Sequence, residues 1–153
     1  MPKFTLSEFA DKINEIMPLL TKEFIRQQEN ELYKGKITLP QFFILDFLLN
    51  KQTANMTEIS RFMGVSTAAV TGIVDRLVKY GYVERGFDPV DRRIIKIKPT
   101  EKGYTLVKKI NQQRRKAVMD IFSQVSESDR SQYLRILLRV HDILSKKEEK
   151  VLP

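Results

Sequence analysis

Thr57-Glu-Ile-Ser-Arg-Phe-Met-Gly64, then Val65, then Ser66-Thr-Ala-Ala-Val-Thr-Gly-Ile-Val-Asp-Arg-Leu77, is the stretch on which the fold turns. Ile59, Phe62 and Met63 recur at helical spacing and stop at Gly64, a residue type that closes helices in the left-handed conformation. Thr57 is the expected cap of this short helix, following a polar break from Lys51 to Asn55. Ser66 is a good N-cap for the next, in which Val70, Ile73, Val74 and Leu77 form an apolar stripe running up to Gly81. Two short helices joined by a tight glycine turn read as a helix-turn-helix.

Toward the C-terminus, Tyr82 to Gly86 and Arg93 to Lys98 have strand-like composition with partial alternation, and Gly86 and Pro89 are expected to help turn the chain between them. Ile94, Ile95 and Ile97 offer apolar contact to seat this hairpin on the domain. Helix, turn, helix and hairpin is the order of a winged helix-turn-helix, whose second helix enters the major groove of DNA while the wing reaches the minor groove or backbone.

The flanks are helical. Thr5 to Glu8 reads as a capping box ahead of Phe9, Ile13, Ile16, Met17, Leu20, Phe24 and Ile25, a long amphipathic helix interrupted at Gly35. Thr38-Leu-Pro-Gln41 opens a second helix that is apolar on almost every side and should be buried. After the hairpin, Thr100 caps a long helix with Leu106, Val107, Ile110, Val118, Ile121, Phe122 and Val125 on one side, and Ser126 to Asp129 opens a last helix carrying Tyr133, Leu134, Leu137, Leu138, Val140, Ile143 and Leu144. The expected fold is mostly α with a small β wing. Within one domain spanning 1–153, residues 38–100 form the winged helix-turn-helix lobe, and residues 1–36 and 101–150 supply the long terminal helices.

Composition narrows the function. Twelve basic residues face five acidic ones between Asp75 and Arg115, so nearly all of the net charge of +8 sits in about a quarter of the chain, as a polyanion-binding face requires. The absence of cysteine removes disulfides, thiolate chemistry and Cys-containing zinc sites, and fits a cytoplasmic location. One histidine, His141, and no Gly-rich phosphate loop leave no nucleophile–base set, so an enzyme is not expected, and no cofactor or metal either. No apolar run is long enough for a membrane helix, and the first residues lack a signal peptide's apolar stretch, so a soluble, unprocessed protein with no membrane partner is expected.

With the apolar stripe of the second helix facing inward, Ser66, Thr67, Ala68, Ala69, Thr71, Gly72, Asp75 and Arg76 remain for the groove. They are mostly small: hydroxyls can bond base edges or phosphates, methyl groups can touch thymine, and Arg76 suits a phosphate. Gly72 costs up to ~1 kcal/mol relative to alanine inside a helix, which points to close approach by DNA or another helix.

The ordered set Thr57 to Gly64, Ser66 to Leu77, Gly81-Tyr-Val-Glu-Arg85, Asp88-Pro-Val-Asp91-Arg92-Arg93 and Thr100-Glu-Lys-Gly103 resembles the MarR family of bacterial transcriptional regulators over nearly the whole chain. The Asp-x-Arg wing motif, matched by Asp91, Arg92 and Arg93, and the Thr-x-x-Gly that follows are its most specific parts. The resemblance implies a homodimer with interlocked terminal helices, binding a pseudo-palindromic operator in double-stranded DNA. It also implies that Arg93 enters the minor groove, held by Asp91, with Arg92 touching the backbone beside it. Most relatives are repressors released by a small aromatic or phenolic effector; Tyr33, Phe42, Phe43 and Phe47 are candidates to line its pocket, although such aromatics are more often core. Peroxide and zinc sensing find no support, since there is no cysteine and His141 stands alone. The competing reading is a winged-helix protein-interaction module that does not bind DNA, which would have no need of Arg92, Arg93 and the lysines around them.

Overall fold

The structure is a computed structural model that describes residues 4–27, 34 and 37–148; the expectations for Tyr33 and Gly35 fall outside these. The elements run α1 (Leu6–Gln27), α2 (Leu39–Lys51), β1 (Ala54–Asn55), α3 (Met56–Met63), α4 (Thr67–Lys79), β2 (Val83–Phe87), β3 (Ile95–Pro99), α5 (Glu101–Phe122) and α6 (Glu127–Glu148). The chain divides into two compact units, Met1–Arg114 and Arg115–Pro153, with the boundary inside α5.

The first unit holds the core. Phe42, Ile44, Leu45 and Leu48 of α2 meet Ile59 of α3, Val70, Val74 and Leu77 of α4, Val83 and Ile97 of the sheet, and Leu106, Val107 and Ile110 of α5. α2 buries Gln41, Phe42, Ile44, Leu45 and Leu48, while Leu39, Pro40, Phe43, Asn50 and Lys51 are exposed. Its first turn is locked by a capping box: the Gln41 amide donates to Thr38 Oγ1 at 3.5 Å and the Thr38 amide donates to Gln41 Oε1 at 2.8 Å.

The expected two-stranded hairpin is a three-stranded antiparallel sheet in the order β1-β3-β2. The added strand is two residues long and pairs Ala54 with Ile97 and Asn55 with Lys96. The cap of α3 also differs from expectation. Asn55, not Thr57, is the N-cap: its Oδ1 accepts from the Glu58 amide at 2.9 Å while its own amide donates to Glu58 Oε2 at 2.8 Å. Glu58 additionally accepts from Lys51 Nζ at 2.7 Å, and these partners hold its carboxyl below the ordinary 4.5. α3 ends at Gly64 with φ +65, the left-handed closure that glycine allows without a steric penalty.

The second unit packs locally. The Phe122 and Tyr133 rings stack at 5.5 Å, and Arg130 Nη1 donates to the carbonyls of Phe122 at 3.0 Å and Val125 at 2.7 Å, tying the end of α5 and the turn after it to α6. Ser126 caps α6, accepting from the Asp129 amide at 3.1 Å.

Candidate nucleic-acid interface

The N-cap of α4 is Ser66, whose hydroxyl accepts from the Ala69 amide at 3.3 Å. Burial of Val70, Val74 and Leu77 fixes the rotation of the helix, and Thr67, Ala68, Ala69, Thr71, Gly72, Asp75 and Arg76 are all exposed. The Thr71 hydroxyl donates back to the Thr67 carbonyl at 2.8 Å, so toward the outside it offers acceptor lone pairs and a methyl group. A Cβ built on Gly72 meets no atom within 4 Å, so nothing inside the chain requires glycine there. Arg76 makes no ion pair among the described residues.

The far end of α4 is clamped to α5 by the Thr-x-x-Gly motif. Gly81, at φ +71, turns the chain out of the helix. The Thr100 hydroxyl donates to the Gly81 carbonyl at 2.6 Å and accepts from the Gly103 amide at 3.2 Å, while the Thr100 amide donates to the Tyr82 carbonyl at 3.0 Å. Lys102 Nζ donates to the Tyr80 carbonyl at 2.7 Å and lies 4.8 Å from the Tyr82 ring centroid. Gly103 is buried so closely beneath this turn that an added Cβ would lie 2.1 Å from the Tyr82 carbonyl oxygen. The motif sets the distance between α5 and the end of α4, and only glycine fits its last position.

The wing is built from its aspartates. β2 and β3 pair Glu84 with Lys98, Arg85 with Ile97, Gly86 with Lys96 and Phe87 with Ile95; Gly86 therefore lies within a strand and takes no part in the turn. Asp88 Oδ1 accepts from the amides of Val90 at 2.8 Å and Asp91 at 3.1 Å, folding the loop around Pro89. Asp91 Oδ1 in turn accepts from the Arg93 amide at 3.0 Å and from Arg93 Nε at 3.1 Å, with Arg93 Nη2 on Oδ2 at 3.2 Å. The result is a bidentate pair in which the Arg93 side chain remains 91 % exposed. The Arg93 guanidinium and amide hold the Asp91 carboxyl below the ordinary 3.8, and the Val90 and Asp91 amides, with Lys96, do the same for Asp88. Arg92 is exposed and makes no ion pair among the described residues.

Some expectations meet a different environment. Of the three wing isoleucines only Ile97 is buried; Ile94 and Ile95 are exposed. Lys98 pairs with Glu84 at 2.9 Å, and Lys96 lies 3.8 Å from Asp88 and 4.0 Å from Glu58, so neither wing lysine is an unencumbered cation. Among the proposed pocket aromatics, Phe42 is buried in the core with the Arg114 guanidinium 5.3 Å from its ring centroid, Phe47 stacks on Phe62 at 4.3 Å, and Phe43 is exposed. His141 is exposed beside Asp142 at 3.6 Å. Two features of the site go beyond the sequence expectations: the structural part of Asp88, and an ion pair between Asp75 of α4 and Arg85 of β2. Aspartate at the start of a proline turn is a local signal for the first; ten residues separate the partners of the second, and nothing local announces it.

Residues 37–95 match the MarR family model. The chain is 27 % identical over 124 residues to the HTH-type transcriptional regulator YsmB of Bacillus subtilis, spanning 80 % of this chain and 85 % of that one. A MarR family protein from Bacillus stearothermophilus superposes with a TM-score of 0.76 at 20 % identity, over 93 % of this chain and 99 % of the other. A mutant MarR from E. coli, crystallised with operator DNA, superposes with a TM-score of 0.65 at 21 % identity, over 90 % and 99 %. The winged-helix order of this chain, its wing motif and the domain match agree: residues 37–95 form a MarR family domain, within a chain that is similar over most of its length to an HTH-type transcriptional regulator.

Proposed function

We propose that the protein is a sequence-specific DNA-binding regulator acting as a homodimer on a pseudo-palindromic operator. The observation that carries this reading is one pairing of surfaces. A helix face of mostly small, exposed residues from Ser66 to Arg76 stands in the same lobe as a wing whose Arg93, 91 % exposed, is paired with and oriented by Asp91. The helix would enter a major groove, with Ser66, Thr67, Ala68, Ala69, Thr71 and Gly72 against base edges or phosphates and Arg76 on the backbone. Arg93 would enter the flanking minor groove, where a narrow A·T tract deepens the negative potential, and Arg92 would touch the adjoining phosphates.

Dimerisation is supported by the terminal helices. In α1, Phe9, Ile13, Ile16, Met17 and Leu20 are exposed, and in α6 Leu134, Leu137, Leu138, Ile143 and Leu144 are exposed. Each is an apolar stripe at helical spacing that its own unit leaves exposed. A second copy covering them would give the two-fold symmetry that sets recognition helices about 34 Å apart. Repression, and its release by a small aromatic or phenolic ligand that favours a dimer with wrongly spaced lobes, is supported by the family resemblance.

Sedimentation equilibrium on the free protein, followed by anisotropy titration of a short DNA duplex at stepped salt, tests the reading. A dimer whose log affinity falls linearly with log salt supports it; a monomer, or no binding at low salt, refutes it.

A further inference from the structure

α4 carries an acidic residue on the face assigned to the groove. Asp75 is one helical turn beyond Thr71 and three residues beyond Gly72, so it shares their exposed side. Its carboxylate is met by the Arg85 guanidinium in a close hydrogen-bonded ion pair. The strand explains the direction. Alternate residues of β2 share a side, so Arg85 stands on the same side as buried Val83, the side packed toward α4, and its length carries the guanidinium back to the helix. Both side chains stay partly open to solvent, 39 % for Arg85 and 53 % for Asp75. A pair this exposed adds little to folding, so its weight falls on what approaches that face.

Resting on the assignment of α4 to DNA reading, we infer that Asp75 is a specificity-determining residue: it withholds Arg85 from the DNA backbone, lowering affinity for arbitrary DNA so that binding depends more on the base contacts of α4. An arginine at the edge of a groove-facing helix, if unpaired, is drawn to the nearest phosphate, and such an interaction strengthens binding to every sequence alike. Paired with Asp75 it adds no net positive charge, while the paired carboxylate is itself spared from facing phosphates uncompensated. The wing uses an aspartate to aim an arginine outward; here the geometry holds one back.

Four proteins test this: the wild type, Asp75→Asn, Arg85→Gln and the double variant. Each is titrated between 50 and 200 mM KCl on the duplex that the wild type enriches from a random pool and on a scrambled duplex of equal composition. Asp75→Asn should bind the scrambled duplex at least about threefold more tightly at 50 mM salt, with a log–log slope steeper by about 0.9 for each phosphate newly neutralised by an arginine. Its ratio of specific to nonspecific affinity should fall. Arg85→Gln should weaken both duplexes, and the double variant should return the scrambled-duplex affinity toward the wild-type value. If wild type discriminates between the duplexes but Asp75→Asn leaves affinity, slope and ratio unchanged, or weakens both duplexes equally, this inference is overturned while the DNA-binding assignment stands. If wild type binds neither duplex at 50 mM salt, the assignment and the inference fall together.

Discussion

Arg93 meets Asp91 through two side-chain hydrogen bonds, Nε to Oδ1 at 3.1 Å and Nη2 to Oδ2 at 3.2 Å, while its side chain remains 91 % exposed. This combination separates charge from direction. Arg93→Ala should weaken operator binding and make the salt dependence shallower by about 0.9 in log–log slope for each phosphate that the arginine no longer neutralises. Asp91→Ala keeps the cation and removes its guide, so anisotropy titrations should show a slope at least as steep as the wild type's and reduced discrimination between operator and scrambled DNA.

Gly72 and Gly103 should respond to alanine in opposite ways. A Cβ at Gly103 would lie 2.1 Å from the Tyr82 carbonyl oxygen, a backbone atom that cannot swing aside. Gly103→Ala should therefore destabilise the fold by about 1–3 kcal/mol in urea unfolding, the range typical of an overpacked site. At Gly72 the added methyl meets open space, and Gly72→Ala should stabilise the protein by about 0.5–1 kcal/mol. If α4 approaches DNA as closely as proposed, the same variant should bind its operator less well, so that stability and affinity move in opposite directions.

Acid should loosen the wing. Asp88 and Asp91 have carboxyl groups held below the ordinary 3.8 by the amides and cations that they accept from, and Glu58 is held below 4.5 by Lys51 and the Asn55 amide. A group whose folded pKa is depressed contributes stability that is complete above its unfolded pKa and is lost as pH falls through its folded value. Stability from these groups should be flat above about pH 5 and decline below about pH 4. The amides of Val90, Asp91 and Arg93 donate to the two wing carboxylates, so in that window their NMR resonances should shift before those of the core.

The helix-turn-helix was legible because its signals are local. Gly64, Ser66 and the stripe from Val70 to Leu77 each sit within a few residues of what they control, and all are found in the expected roles. β1 was not, since Ala54 and Asn55 are too short a run to show alternation and owe their pairing to Ile97 and Lys96, more than forty residues away. Thr57 and Asn55 are both good cap formers, so residue type alone does not choose the cap of α3. Glu58, three residues beyond Asn55, is the signal that distinguishes them. In the candidate site, motif comparison picked out Asp91, Arg93 and Gly103, yet the reason Gly103 must be glycine appears only when α5 is seen against Tyr82. The Asp75–Arg85 pair depends on the meeting of a helix and a strand, which no sequence window contains.

The central claim, that a two-fold dimer reads a pseudo-palindrome through α4 and the wing, is tested most directly by selecting bound fragments from random duplex DNA and reading their symmetry. The account predicts an enriched inverted repeat with half-site centres about one helical turn apart, roughly 10–10.5 base pairs. Failure to enrich any sequence at low salt, or enrichment of a single unpaired half-site, would contradict it.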